Sequence, residues 1–161
     1  MTERMKKVMA VSSAGGHWVQ LCRLRPAWDG CRVTYVTSDP GYRAGVLADA
    51  QNRGQPEPAF HVIPEANRWQ KLRLVYQLLC LAWLILRTRP DTIISTGAAP
   101  GYFALRIGRL LGARTIWVDS IANAEELSLS GQQAGRYTTL WLTQWPHLAK
   151  PDGPRHEGAV L

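Results

Sequence analysis

The sequence predicts an α/β protein, a Rossmann-like, doubly wound parallel sheet formed by a single domain of 161 residues. Short runs rich in β-branched and aromatic residues alternate with helical segments, the pattern of parallel strands joined by crossover helices. The first run breaks into Ser12-Ser-Ala-Gly-Gly-His17, where a helical pattern follows. A strand, a glycine turn and a helix start form an anion pocket, because unpaired amides and the positive dipole end point into one space.

The strands are predicted from apolar runs that end at turn residues. They cover residues 8–11, 32–37, 59–63, 91–95, 114–118 and 138–143, and helices are expected from Trp18 onward and over 42–52, 71–89 and 102–111. With the usual strand order, the first and fourth strands are neighbours, so loop 12–17 faces loop 96–101 at the carboxyl edge of the sheet. We assign the domain to residues 1–150. Residues 151–161 form a Pro/Gly-rich tail, which is either frayed or functional.

The composition indicates an acidic partner and a reducing compartment. A formal charge of +7 and a pI near 9.8 suit phosphate, an anionic membrane surface or nucleic acid. The basic residues form no stripe with interleaved aromatic residues, which disfavours nucleic acid. Cys22, Cys31 and Cys80 form no C-x-x-C pair and predict free thiols in the cytoplasm. No apolar stretch follows the basic N-terminus, so no signal peptide is expected.

The segment from Lys71 to Arg89 contains 13 consecutive residues with one polar side chain, between Arg73 and Arg87. A bilayer span needs about 20 residues, so this segment is too short to cross. It suits either a core helix packed on the sheet or a helix in the membrane interface. The interface is favoured by the flanking basic and tryptophan residues, namely Arg68, Lys71, Arg73, Arg87, Arg89, Trp69 and Trp83. We therefore predict a membrane-associating helix over about 69–88.

The glycine loop matches neither common nucleotide motif. It is not a P-loop, because no Gly-Lys-Ser/Thr follows it. It departs from G-x-G-x-x-G, because Gly15 and Gly16 are adjacent and Val19 occupies the place of the third glycine. Asp39, about 20 residues further on, has the position of a ribose-binding acid. A stand-alone nucleotide- or dinucleotide-binding enzyme therefore remains the alternative.

Polar residues near both loops are candidates for the site. His17, at a helix start in the expected crevice, is either a base or a ligand of a phosphate group. Asp119, Ser120 and Asn123 follow the fifth strand and have two interpretations. In the first, they bind the hydroxyl or phosphate groups of a ligand. In the second, they cap a helix, with Ser120 or Asn123 as the N-cap and Glu126 completing a capping box. The histidines show no metal-ligand spacing, so neither a metal nor a cofactor is expected.

Four motifs occur in an order that resembles the Alg14 family, including its bacterial exopolysaccharide (PssD-like) members. They are Ser13-Ala-Gly-Gly-His17, Thr96-Gly-Ala-Ala-Pro-Gly101, Asp119-Ser followed by Leu127-Ser-Leu-Ser-Gly131, and Gln144-Trp-Pro146. The first is shared with the wider MurG-like glycosyltransferases. The resemblance implies a domain equivalent to the N-terminal half of a GT-B glycosyltransferase. A separate Alg13-like (PssE-like) subunit would supply the nucleotide-sugar site, and this chain would be inactive alone.

The resemblance also implies the reaction and the site. A hexosyl or N-acetylglucosaminyl group would pass from a UDP-sugar to a polyprenyl-diphosphate-linked saccharide, with inversion, in exopolysaccharide or oligosaccharide biosynthesis. The diphosphate would contact Ser13, Gly15, Gly16 and His17, and His17 is also the candidate base. Gly97 and Gly101 would let the headgroup of the acceptor lipid approach the backbone closely. The polar residues that would hold the sugar are Asp119, Ser120 and Asn123. The expected location is the cytoplasmic face of the membrane, peripheral or monotopic.

Two departures from the family pattern bear on these expectations. Many Alg14 members carry an N-terminal transmembrane helix and no such helix is evident here, so anchoring is expected to depend on 71–89. Val118-Asp-Ser-Ile-Ala-Asn123 stands where the family more often has Val-Glu-Ser followed by arginine. The family also implies that the tail, ending in Ala159-Val-Leu161, docks into the partner subunit.

Overall fold

In a computed structural model, which describes residues 4–67 and 69–160, six parallel strands form one sheet. Their order is β3-β2-β1-β4-β5-β6. The strands are β1 Lys7–Val11, β2 Arg32–Thr37, β3 Ala59–Val62, β4 Thr92–Ser95, β5 Arg114–Val118 and β6 Leu140–Leu142. The Rossmann-like fold is confirmed, and β1 pairs with β4 as expected.

Five helices cover the two faces of the sheet. They are α1 Gly16–Arg23, α2 Arg43–Asn52, α3 Lys71–Thr88, α4 Ala98–Leu110 and α5 Leu129–Ala134. Alternate strand residues point to opposite faces, so Val8 and Ala10 pack with α1 and α2, whereas Met9 and Val11 pack with α3, α4 and α5. Because both faces are buried, β1 is a nearly continuous apolar run.

The largest difference from the predicted elements is the start of α4. This helix begins at Ala98, four residues before the expected Tyr102. Pro100 is tolerated there because the first turn of a helix needs no backbone N–H donor at that position. The expected glycine loop is thus reduced to Thr96 and Gly97, and a second helix N-terminus reaches the carboxyl edge of the sheet.

The expected helix cap after β5 is also wrong. Neither Ser120 nor Asn123 begins a helix, because α5 starts only at Leu129. Its N-cap is Ser128, whose hydroxyl oxygen accepts a 2.9 Å hydrogen bond from the Gly131 amide. Residues 121–127 instead form an irregular loop.

The tail is held against the domain, so the frayed interpretation is wrong for residues 155–160. The Arg155 amide donates to the Trp141 carbonyl, and the Thr143 amide donates to the Arg155 carbonyl, both at 2.9 Å. The Val160 amide donates to Gln144 Oε1 at 2.8 Å. Leu161, the last residue of the proposed docking segment, lies outside the described residues.

The N-terminal segment is attached to the start of β4 by a carboxylate whose charge is expected to matter for stability. Asp91 accepts hydrogen bonds from the Lys7 amide and from the Arg4 guanidinium, both at 2.8 Å. The Lys7 bond, assisted by Arg4, lowers the pKa of Asp91 below its ordinary value of 3.8. A carboxyl group whose pKa is lowered by folding stabilises the folded state at pH values above its unfolded-state pKa. This stabilisation is lost as the pH falls through the folded-state pKa.

We therefore expect Asp91→Asn to lower the free energy of unfolding at pH 7 by roughly 0.5–1 kcal/mol, since the pair is partly exposed. The difference from the wild type should disappear at a second, acidic pH that lies below the lowered folded-state pKa of Asp91, where the carboxyl group is protonated in both states. Urea unfolding at the two pH values measures it, with the exposed Asp152→Asn as matched control. An equal loss at both pH values would contradict the electrostatic explanation.

Candidate functional site

The loops after β1 and β4 meet at the carboxyl edge of the sheet, as the sequence predicts. Two hydrogen bonds join them. His17 Nδ1 lies 2.9 Å from the Thr96 carbonyl oxygen, and Thr96 Oγ1 donates to the His17 carbonyl at 2.6 Å. We call the space above this junction the crevice. It is the position at which ligands bind in open parallel sheets of this order.

The contact with Thr96 determines the tautomer of His17. A carbonyl oxygen can only accept, so the Nδ1 atom carries the proton. In the neutral ring, Nε2 then has an unshared lone pair and can accept a proton or a hydrogen bond. The half-buried ring also lies against Gly97, where an added Cβ would overlap it. Thr96 and Gly97 together hold the imidazole in one orientation.

Two helix N-termini meet at the crevice. α1 begins at Gly16, and α4 begins at Ala98, after neighbouring strands. The Ala14 and Gly15 amides are already used, because they donate to Ser38 Oγ at 3.3 Å and to Tyr42 Oη at 3.1 Å. Within the described residues, no acceptor is found for the amides of 16–18 in the first turn of α1. These amides and both dipoles favour an anion.

The backbone around this junction is strained. Gly97 has a φ of 146°, and Ala98, which carries a Cβ, has a φ of 65°. A left-handed conformation costs a residue other than glycine about 1–2 kcal/mol. Gly15 also has a positive φ of 83° and is exposed. Such conformations persist at functional sites because the surrounding contacts enforce them.

Two other candidate residues, Gly101 and Ser13, have different surroundings. Gly101 is packed between α4 and β4, whereas Ser13 is partly open to solvent. Gly101 is buried, and a Cβ there would overlap the Ser95 side chain. It thereby allows α4 to approach β4 closely, and contact of Gly101 with a ligand stays a prediction. Ser13 is half-buried, and its hydroxyl has no hydrogen-bond partner in the described part of the chain.

Asp119 is an internal organiser of the loop after β5. Asp119 is only 1% exposed. Oδ1 accepts from Trp117 Nε1 at 3.0 Å and from Ser128 Oγ at 2.6 Å. Oδ2 accepts from the Ser128 amide at 3.0 Å and from Asn123 Nδ2 at 3.2 Å. All four lone-pair positions are used, so the expected sugar contact is not available in this arrangement.

A second buried network includes two glutamines whose role the sequence analysis missed. Gln20 Nε2 donates to Ser120 Oγ at 3.0 Å, and Gln144 Nε2 donates to Gln20 Oε1 at 2.7 Å. Ser120 is thus also engaged internally. Gln20 is 6% exposed, whereas its apolar neighbour Val19 is 49% exposed. Hydropathy alone would predict the opposite, namely a buried valine and an exposed glutamine. The network joins α1, β5, β6 and the tail.

We expect Asp119→Ala to lower the free energy of unfolding by about 3–5 kcal/mol, because it leaves several buried donors without an acceptor. Urea unfolding followed by tryptophan fluorescence measures this. Asn123→Ala is the matched control, which removes a single peripheral bond and should cost less than about 1 kcal/mol. A marginal effect of Asp119→Ala would mean that the carboxylate is retained for a ligand.

Asp39, the residue behind the dinucleotide alternative, is also engaged. It follows β2, and its Oδ1 accepts from the Gly41 amide at 2.8 Å, which begins a single 3₁₀ turn. No cluster of three His, Cys, Asp or Glu side chains suited to a metal occurs among residues 4–67 and 69–160.

α3 carries an exposed apolar surface, which we call the apolar stripe. Its members are 54–87% exposed and lie on one helical face: Leu72, Val75, Tyr76, Leu79, Trp83 and Leu86. The opposite face is buried on the sheet through Leu81, Leu84 and Ile85. The core-helix interpretation is therefore right for one face, and contact of the exposed face with a membrane stays a prediction. Arg68, one expected basic flank, lies outside the described residues. Of the helices that the structure describes, none has the length and hydropathy of a membrane span.

The fold is of the kind that forms one half of a GT-B glycosyltransferase. It superimposes on Acinetobacter baumannii MurG with a TM-score of 0.70 at 16% identity, covering 92% of this chain and 44% of that one. It also matches the UDP-N-acetylglucosamine 2-epimerase of Rickettsia bellii, with a TM-score of 0.64 at 12% identity over 89% of this chain and 40% of that one. The chain thus spans less than half the length of these proteins.

The sequence is similar to the UDP-N-acetylglucosamine transferase subunit ALG14. Identity to the Mus musculus protein is 28% over 169 residues, covering 88% of this chain and 76% of that protein. The Yarrowia lipolytica protein is 24% identical, covering 89% of this chain and 76% of the relative. No protein-family profile matches the chain. The predicted resemblance to the Alg14 family is confirmed by these similarities.

Proposed function

We propose that the chain is the acceptor-binding, membrane-associated subunit of a bipartite glycosyltransferase. The reaction transfers a sugar of the N-acetylglucosamine type from a UDP-sugar to a polyprenyl-diphosphate-linked saccharide. The observation that carries the proposal is the meeting of two helix N-termini with a fixed histidine in the crevice. The relatives, named as subunits of a UDP-N-acetylglucosamine transferase, support it.

The diphosphate of the acceptor lies at the start of α1 and α4. The unpaired amides of Gly16, His17 and Trp18 donate to its oxygens, and the two dipoles favour its charge. The Ser13 hydroxyl and the open surface at Gly15 are at the same turn. Gly97 contributes indirectly, because it makes room for the His17 ring.

His17 acts as the general base. Its Nδ1 proton is committed to Thr96, so Nε2 presents a lone pair that suits a hydroxyl proton better than a phosphate oxygen. As the acceptor hydroxyl oxygen attacks the anomeric carbon of the donor sugar, its proton passes to Nε2 and UDP leaves with the bonding electron pair. Attack from the opposite side inverts the anomeric centre.

The acceptor sugar lies near the loop after β5. Asn123 is half-buried, and its side-chain nitrogen Nδ2 donates to Asp119. Its side-chain oxygen Oδ1 has no hydrogen-bond partner among the described residues. This oxygen is the group of the loop that can accept from a sugar hydroxyl. Asp119 and Ser120 hold Asn123 in place, because Asp119 Oδ2 accepts from its side-chain nitrogen and the Ser120 carbonyl accepts from its backbone amide.

The donor site and the membrane contact complete the proposal. This Rossmann-like domain provides one wall of a GT-B cleft, and an Alg13-like (PssE-like) subunit supplies the UDP-sugar site. The naming of the relatives as transferase subunits supports this division. The apolar stripe, with Lys71, Arg73, Arg87 and Arg89 at its ends, docks α3 in the membrane interface. The pair then works on the cytoplasmic face, in the synthesis of a surface polysaccharide or lipid-linked oligosaccharide.

The test is sugar transfer from a panel of UDP-sugars to a short-chain polyprenyl-diphosphate saccharide. It is run with the chain alone, with the donor-half protein alone, and with both. Transfer only in the mixture supports the division between subunits. Transfer by this chain alone would overturn it, and tight binding of NAD(H) or NADP(H) without any transfer would support the dinucleotide alternative.

A further inference from the structure

A groove of about 310 Å³ lies between β3 and α3, at the open edge of the sheet. Its walls are mainly aliphatic and aromatic: Val62, Ile63, Tyr76, Leu79, Trp83 and Leu84, with Cys80 and His61 completing the lining. None of these side chains is an acid, a lysine or an arginine. Burial lowers the pKa of His61 below its ordinary value of 6.5, which favours the neutral ring.

The groove is continuous with the apolar stripe of α3. Tyr76, Leu79 and Trp83 belong to both, so the groove opens on the face that meets lipid under the proposed function. α3 contains no acidic residue, and basic residues stand at both of its ends. This charge pattern suits an anionic lipid surface. Water in such a groove finds few hydrogen-bond partners, so hydrocarbon is the favoured occupant.

The groove lies at the same edge of the sheet as the crevice, two strands away from it. β3 and β1 are separated by β2 alone, a distance of about 10 Å at the usual strand spacing. The groove is lined by the end of β3, at the same carboxyl edge as the crevice. α3 starts at this edge and runs away from it. A chain attached to a diphosphate in the crevice can therefore enter the groove and follow α3 toward the membrane.

We propose that this groove binds the isoprene units of the acceptor lipid that are nearest to its diphosphate. The inference rests on the proposed function and names a second part of the acceptor that the chain recognises. A branched, unsaturated prenyl chain offers methyl groups and flat segments to the Tyr76 and Trp83 rings. The groove thereby selects a single-chain prenyl diphosphate, and the remainder of the lipid stays in the bilayer.

The test compares the binding of soluble probes to the full-length chain, in complex with its donor-half partner, without membranes. The probes are inorganic diphosphate, isopentenyl diphosphate, farnesyl diphosphate and farnesol. We expect farnesyl diphosphate to bind at least about 10-fold more tightly than isopentenyl diphosphate, because the longer chain buries more apolar surface. Farnesyl diphosphate should also slow alkylation of Cys80, as mapped by peptide mass spectrometry, and leave Cys22 and Cys31 unaffected.

Leu79→Gln and Leu72→Gln form a matched pair on the same stripe. Both leucines are exposed, at 61% and 87%, but Leu79 lines the groove and Leu72 does not. Leu79→Gln should abolish the preference for the farnesyl chain, whereas Leu72→Gln should preserve it. Equal loss in both variants would overturn the proposal, since it would indicate general adsorption to the stripe.

The remaining outcomes separate this inference from the proposed function. Equal affinity for isopentenyl and farnesyl diphosphate, with transfer activity intact, would overturn the groove and leave the function standing. Equally strong competition by a lysophospholipid would overturn the choice of a prenyl chain. Failure of every diphosphate to bind, while farnesol still protects Cys80 and Leu79→Gln removes that protection, would overturn the diphosphate site and support the groove.

Discussion

Replacement of Gly97 by alanine is expected to lower sugar transfer by the reconstituted pair about 100-fold or more, the usual contribution of a general base. The added Cβ would occupy the place of the His17 ring, and the φ of 146° at this position disfavours a side chain. The ring would lose its contact with Thr96. Steady-state kinetics should show the loss in kcat, with the KM for the UDP-sugar little changed.

Two further variants make this prediction decisive. Gly45→Ala lies in α2, where an added Cβ has no neighbour within 4 Å, so full activity is expected and the helix gains up to about 1 kcal/mol. His17→Asn retains an amide donor for the Thr96 carbonyl but supplies no base, so it should match the loss in Gly97→Ala. Full activity of either folded site variant would contradict the role of His17 as base.

Removal of the apolar stripe is expected to detach the chain from membranes. Leu72, Val75 and Leu86 are 87%, 54% and 57% exposed, so their joint replacement by serine should leave the fold intact. At about 1 kcal/mol per side chain, the partition into vesicles that contain anionic lipid should fall roughly 100-fold. Vesicle flotation measures this, and transfer to a short-chain soluble acceptor should be unchanged.

The control for the stripe is Leu129→Ser, the same kind of substitution at a leucine that is 64% exposed in α5. It should bind vesicles as the wild type does. Higher salt should weaken wild-type binding, because it screens the basic residues at both ends of α3. Undiminished binding by the triple variant would show that α3 is not the membrane-contacting element.

Local patterns were sufficient to predict most of the framework. The apolar run before Ser12 predicted a central strand, and the usual strand order correctly predicted that His17 and Thr96 face each other. The apolar character of α3 was also visible, but only the structure shows that one face is buried on the sheet and the other is exposed. The start of α4 differs from the prediction because residues 96–101 have the composition of a glycine loop, whereas Ala98 to Gly101 form the first turn of the helix.

The sequence by itself determined the fold class, because hydrophobic periodicity and turn residues indicate strands that alternate with helices. The usual strand order of such sheets then gave the position of the crevice. Only the tertiary structure decided the roles within the crevice. Asp119 had the sequence signature of a ligand, yet Trp117, Asn123 and Ser128 converge on its carboxylate. Gly97 and His17 are likewise distant in the chain, and their contact depends on the pairing of β1 with β4, which brings the ends of these two strands together. Whether a polar group is used internally or left open depends on partners that folding brings together, and no local pattern contains that information.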